Sequence, residues 1–173
     1  MNTIDHYSNP RWQNLLGFAI CAGLITLAYY LQYGQGLNPC PLCIFQRIAF
    51  FVMGVIFLAA ALQGSTYRGR LIYGGLLIVT ALVGCALAIR HLHLQSLPAE
   101  LAPSCGADLG YMLRKFPLRK TLLLVFQGSG DCHAIDWKLL GLTLPGWALV
   151  WFVLLGIWAA LANWRPPRQS SGA

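Results

Sequence analysis

Six cysteines carry most of the chemistry open to this 173-residue chain. The sharpest local feature is Cys40-Pro41-Leu42-Cys43. Two thiols at this spacing can close a disulfide, exchange with another thiol pair, or supply half of a zinc site. Asn38-Pro39-Cys40-Pro41 has the chemistry of a helix start, since proline is favoured at the first helical position. With Pro41 there, Cys43 falls in the first turn, where free backbone N–H groups and the helix dipole favour a thiolate. Arg47 follows four residues later and shares a face with Cys43. Its permanent charge suits a thiolate or another anionic partner, and equally an anchor in lipid headgroups.

The other cysteines divide by place. Cys105 and Cys132 stand 27 residues apart in a polar stretch. On spacing alone they suit a loop-closing disulfide with a structural role; a C-x-x-C in the same compartment shifts the reading toward a redox pair. Cys21 and Cys85 lie within apolar runs and read as small buried hydrophobes. The second cysteine pair of a typical structural zinc site is missing, so no metal is assigned. His91 and His93 are read as following the third apolar run, where an interfacial histidine is commonly a hydrogen-bonded anchor. His133 adjoins Cys132, and His6 belongs to the N-terminal tail.

The elements that must position these groups are written in the charge pattern. Hydrophobic residues make up 57% of the chain and charged ones 10%, against about 25% charged in soluble domains. Runs without Asp, Glu, Lys or Arg span 35 residues after Arg11, 20 after Arg47, 19 after Arg70 and 26 after Lys138. About 20 helical residues cross a bilayer core of roughly 30 Å, and lipid demands internally paired backbone. The expected fold is an all-α membrane protein, a four-transmembrane-helix bundle in a single domain. Its spans are placed near residues 15–32, 42–62, 71–90 and 145–163, joined on one face by loops 33–41 and 91–144. The first run is long and lacks an Ala-x-Ala cleavage site, so it is kept as a span. Thr121–Gln127 is apolar but too short to cross, and periodicity does not decide its structure.

Four spans place both termini on one side, with Cys40, Cys43, Cys105 and Cys132 on the other. Persistent disulfides belong to oxidising compartments, so the cysteine face is read as periplasmic and the termini as cytoplasmic. The basic residues near the termini and in the Gln63–Arg70 link lie in short segments with almost no acids, in line with that orientation. The formal charge of +7 does not point to nucleic acid, because the basic residues are scattered and no basic run has interleaved aromatics.

Four spans, a C-x-x-C at the second, an arginine four residues on and a later cysteine pair resemble DsbB, the bacterial inner-membrane disulfide bond formation family. The resemblance covers nearly the whole chain. It is most specific at Pro39-Cys40-Pro41-Leu42-Cys43 with Arg47, at His91-Leu92-His93-Leu94-Gln95 with Pro98, and at Gly130-Asp131-Cys132 and Leu140-Gly141-Leu142 with Pro145. The stretch from Pro98 to Cys105 departs from the family pattern by about one residue, which touches loop geometry and leaves the chemistry in place.

The resemblance implies a thiol:quinone oxidoreductase of the inner membrane. Cys40 and Cys43 match the quinone-proximal pair, and Cys105 and Cys132 match the pair of the second periplasmic loop. Arg47 matches the arginine that acts with the quinone, and His91 the quinone-side histidine; His93 has no such match. The implied cofactor is ubiquinone or menaquinone, drawn from the membrane pool. The implied partner is a DsbA-like periplasmic thiol oxidase. A strongly oxidising partner, near about −120 mV, calls for an acceptor beyond an ordinary dithiol, and no Gly-rich nucleotide fingerprint is present. Three other readings remain at this point: a four-helix scaffold with one structural disulfide, a Cys/His metal-binding membrane protein, and a quinone-linked thiol enzyme resembling vitamin K epoxide reductase.

Overall fold

A computed structural model describes residues 9–37, 39–63, 66–97 and 138–164, with isolated positions at 114, 117, 119, 120 and 123. Four helices dominate: α1 (Pro10–Gly34), α2 (Pro41–Gln63), α3 (Tyr67–Gln95) and α4 (Leu144–Asn163). All four are long and apolar enough to cross a membrane. At 1.5 Å per residue they measure about 30 to 44 Å.

The helices cover each expected span and run past it. α1 starts at Pro10 because the Asn9 side chain accepts from the Arg11 N–H and the proline fills the first turn. α3 starts at Tyr67 because Thr66 Oγ1 accepts from the Gly69 N–H. Hydropathy senses the hydrocarbon-matched stretch, whereas caps set the helix ends. The largest correction falls on α3. It continues through Arg90 to Gln95, so His91 and His93 lie on the helix rather than after it, and the loop expected from residue 91 begins later.

The bundle closes around its neighbours in order. α1 packs on α2, α2 on α3 and α3 on α4, with a lighter contact between α1 and α4. Lipid tails are as apolar as leucine, so helix association relies on close packing and interhelical hydrogen bonds. Both are visible. Phe50 and Phe152 stack across the centre with ring centroids 3.9 Å apart. Gly84 makes room for the Phe152 ring, since a Cβ there would sit 2.4 Å from it. Gly17 does the same for Phe57. The outward surface is apolar, with Phe51, Ile72 and Leu82 each more than 60% exposed, as befits side chains that face hydrocarbon.

At one end of the bundle Asn14 of α1 and Asn163 of α4 exchange amide hydrogen bonds of 3.3 and 3.2 Å. Both are fully buried or nearly so. Nearby, Trp158 Nε1 donates to the Gln13 carbonyl and Arg70 Nη2 to the Ala162 carbonyl. The start of α1 and the end of α4 therefore share one end of the bundle.

A short hairpin precedes α4: β1 (Lys138–Leu139) pairs antiparallel with β2 (Leu142–Thr143). Its two central residues, Leu140 and Gly141, have φ of 53° and 82°, the twist that two-residue hairpin turns require. Thr143 Oγ1 donates to Gln95 Oε1 at 2.9 Å and Trp147 Nε1 to the Leu139 carbonyl at 3.1 Å, tying the hairpin to α3 and α4. Of the apolar segment Thr121–Gln127, only Leu123 is among the described residues.

The close approach at Gly84 yields a stability prediction. Gly84→Ala is expected to destabilise the bundle by about 1–3 kcal/mol through overpacking against Phe152. Unfolding of the detergent-solubilised protein measures it; an unchanged midpoint would contradict the close approach.

Candidate active site

At the end of the bundle opposite the asparagine pair, α2 begins at Pro41. Cys40 occupies the cap position. Its Sγ lies 3.4 Å from the Cys43 N–H that it accepts, and its carbonyl accepts from Ile44. This first turn folds both sulfurs inward, 3.3 Å apart. A disulfide needs about 2.05 Å, so a small side-chain rotation would join them. Cys40 is buried and Cys43 half-buried.

His91 of α3 completes the cluster. It is 2% exposed. Its Nε2 lies 3.7 Å from Cys40 Sγ and its Nδ1 4.0 Å from Cys43 Sγ. Gln46 Nε2 lies 3.4 Å from His91 Nδ1. The contact fixes the ring's position: the Gln46 amide can donate to a bare Nδ1 or, turned over, accept from an Nδ1–H. His93, two residues further along the helix, is exposed. The helical geometry of α3 thus separates two histidines that look alike in sequence.

Arg47 belongs to the same region but does not cap the sulfurs directly. Its Nη1 donates to Gln32 Oε1, and its Nη2 donates to the Ala28 carbonyl at 3.2 Å, both on α1. The guanidinium also sits over the Tyr29 ring, 5.4 Å from the centroid. These contacts fix a positive charge at the boundary between α1 and α2, where an unpartnered charge would be costly.

Cys40, Cys43, Gln46, Arg47 and His91 all line one cavity of about 380 Å³. The remaining walls are largely apolar: Leu24, Leu27 and Leu31 from α1, Phe50 from α2, and Leu144, Ala148 and Trp151 from the hairpin side and α4. A volume of this size and a few convergent polar groups are what small-molecule sites show. The cavity combines polar side chains, aliphatic and aromatic walls, and thiols at its edge.

Of the residues singled out in the sequence, the fold brings together Cys40, Cys43, Arg47 and His91. Cys105, Cys132 and His133 lie outside the described residues. Sequence reasoning passed over Gln46 and Gln32. Gln46 had a signal, because Gln46-Arg47 is the polar interruption of an otherwise apolar run from Ile44 to Leu62. The role of Gln32 depends on α1 lying against α2 and had none.

A dithiol at a helix start, wrapped by membrane-spanning helices and opening on an apolar cavity, is an arrangement suited to a membrane thiol–disulfide oxidoreductase. Known proteins agree. Residues 10–162 match the family described as Disulfide bond formation protein DsbB. A Disulfide bond formation protein B of Nitrosococcus oceani is 45% identical over 163 residues, covering 94% of this chain and 95% of that protein. One of Azoarcus sp. is 50% identical over 156 residues, covering 90% and 92%. One of Xanthomonas axonopodis pv. citri is 45% identical over 168 residues, covering 94% and 98%. The chain belongs to the DsbB family, and it is a multi-pass membrane protein of disulfide bond formation.

Cys21 is fully buried against α2 near Gly54, and Cys85 packs beside the central core cluster. Neither lines the cavity. Cys21→Ala and Cys85→Ala are expected to keep disulfide-forming activity within about twofold, at a stability cost of about 1 kcal/mol for the buried Cys21 site. Turnover assays on the two variants check it, and a large loss in either would move a spanning cysteine into the chemistry.

Proposed function

We propose that the protein is a thiol:quinone oxidoreductase that reoxidises a periplasmic DsbA-like dithiol oxidase and passes two electrons to a membrane quinone. The observation that carries this reading is the placement of Cys40, Cys43 and His91 as one wall of an apolar cavity between membrane-spanning helices. An oil-soluble acceptor can reach that wall, and a water-borne protein can reach the loops at the same end. In this reading the cysteine end faces the periplasm, both termini face the cytoplasm, and the host membrane is the bacterial inner membrane.

The thiol steps follow from exchange chemistry. A thiolate of the reduced partner attacks the Cys105–Cys132 disulfide at Cys105, and Cys132 is displaced. Cys132 attacks Cys40 of a Cys40–Cys43 disulfide, and Cys43 leaves as a thiolate. The partner's second thiol releases Cys105 by closing the partner's own disulfide. Cys105 then attacks Cys132, restoring Cys105–Cys132 and leaving Cys40 and Cys43 as a dithiol. The pairing and order of these steps come from the family resemblance. The local geometry suits the release of Cys43: the leaving sulfur sits in the first turn of α2, whose N–H groups favour negative charge.

When bound, the quinone would accept two electrons and two protons and become a quinol. The chain's own groups prepare that transfer. The His91 ring lies 3.7 Å from Cys40 Sγ and 4.0 Å from Cys43 Sγ, so its imidazole is placed to take up and pass on a thiol proton. Gln46 braces the ring at Nδ1. Arg47, braced by Gln32 and Ala28, supplies positive charge at the cavity wall. Re-forming the Cys40–Cys43 bond removes two electrons and two protons from the pair, which matches the uptake by the quinone.

Anaerobic mixing of the purified protein with quinone and a reduced DsbA-like protein tests the reading. One quinol is expected for each partner disulfide formed. Partner oxidation without quinol, or none in the absence of oxygen, would overturn it. Arg47→Ala is expected to raise the KM for quinone at least about tenfold, the equivalent of roughly 1.4 kcal/mol, while the variant, having lost its hydrogen bonds to α1, stays folded with a lowered unfolding midpoint. Unaltered quinone kinetics in that variant would remove Arg47 from the site.

A further inference from the structure

The Cys40, Cys43 and His91 cluster has a second chemistry open to it. One ligand atom from each residue can be chosen so that all lie within 4.8 Å of one another. Two thiolates and an imidazole are the donor set of a zinc site that keeps its fourth position open. A tetrahedral ion with Zn–S near about 2.3 Å and Zn–N near about 2.0 Å holds its sulfurs roughly 3.8 Å apart and each sulfur roughly 3.5 Å from the nitrogen. Here the sulfurs are 3.3 Å apart and Cys40 Sγ is 3.7 Å from His91 Nε2. For these two pairs, shifts of a few tenths of an ångström separate the two arrangements, and all three ligand atoms already fall within 4.8 Å of one another.

We propose that the dithiol state of this site binds a zinc-class divalent ion through Cys40 Sγ, Cys43 Sγ and His91 Nε2, and that the bound ion reversibly stops the thiol chemistry. The ion is an inhibitor read by redox state, not a resident cofactor. Binding releases the two thiol protons to solvent and changes no oxidation state: one ion and two thiols give a dithiolate complex and two protons. The disulfide state offers no thiolate and does not bind.

Three features favour this site. The choice of nitrogen follows from two contacts: Gln46 lies 3.4 Å from Nδ1, and Nε2 makes the shorter approach to sulfur, 3.7 Å to Cys40 Sγ against 4.0 Å from Nδ1 to Cys43 Sγ. Ligation through Nε2 leaves the ring proton on Nδ1, and the Gln46 amide accepts it by turning its oxygen inward, the outer hydrogen bond that metal-bound histidines use. Cys40 is packed among buried Leu42, Leu87 and Leu94. A divalent ion with two thiolates is neutral overall, so an apolar surround tolerates it better than a bare thiolate or a bare ion. All three ligand residues line the same cavity, which gives an entry path and puts the ion where the quinone chemistry would occur. The inhibition rests on the quinone reading above, whereas the binding does not.

Cobalt(II) serves as the spectroscopic probe, added to phosphine-reduced full-length protein in which Cys105→Ser and Cys132→Ser remove the other pair. The expected result is one Co²⁺ per chain with thiolate-to-cobalt charge-transfer absorption, displaced by Zn²⁺ and abolished by oxidising Cys40 and Cys43 to the disulfide. Gln46→Leu should weaken binding about 10- to 100-fold, and His91→Ala and His91→Gln more than that, with helicity by circular dichroism showing that each variant is folded. Absence of the absorption despite two titratable thiols overturns the proposal, as does equal affinity in folded His91 variants. Quinol formation by the wild-type protein with Zn²⁺, then with chelator, reads the inhibition. It should stop and recover, and turnover unaffected by saturating Zn²⁺ overturns that part. The cobalt readout needs neither quinone nor partner, so failure of the metal site and failure of the quinone reading are distinguishable.

Discussion

A polar side chain inside hydrocarbon must find its partner within the protein, and that constraint organises this structure. With no water to solvate them, backbone groups pair within four helices, and side-chain polarity gathers where helices can answer one another. Two such places stand out among the described residues. One is the Asn14–Asn163 pair with Arg70 and Trp158 at one end. The other is the cluster of Cys40, Cys43, Gln46, Arg47, Gln32 and His91 at the opposite end. The helix faces between them are filled by apolar packing.

The two polar ends differ in what their groups can become. The asparagines and the arginine hold fixed protonation states, and their hydrogen bonds tie α1, α3 and α4 together. Cysteine and histidine side chains are able to exchange protons, and a cysteine pair is able to exchange electrons. That reactive set sits where α2 starts, because a helix N-terminus supplies N–H groups to sulfur while α3 continues beyond Arg90 to bring His91 level with it. Glycines at positions 17 and 84 admit aromatic rings between helices, which keeps the bundle tight in its middle. Near the reactive end, the large side chains of α1 and the hairpin before α4 leave a cavity instead.

Much of this was legible in the residues. The spans followed from charge-free runs, since their length matches a bilayer and few residues interrupt them. The helix start at Pro41 and the place of Cys43 in its first turn followed from local proline chemistry. Helix ends were less visible: α1 and α3 begin at caps outside the most apolar stretch, and α3 passes through Arg90, which ends a hydropathy run without ending a helix. The hairpin at Leu140-Gly141 carried a weak turn signal, because leucine is an unusual residue at a positive φ. Within the site, Gln46 could have been suspected as a polar break in an apolar run, but Gln32 could not.

What the sequence by itself determined is the material and its periodicity: four apolar helices, a thiol pair at a helix N-terminus, and an arginine one turn further on. These are local properties, set by spacing along one chain and by the solvent the segment requires. The family resemblance singled out His91 over His93, but only the tertiary structure decided that its ring meets both sulfurs, that Gln46 braces that ring, and that Arg47 is held by α1. Those facts depend on the rotation and axial shift of one helix against another. Many distributed side-chain contacts settle both, and no short stretch of residues records them.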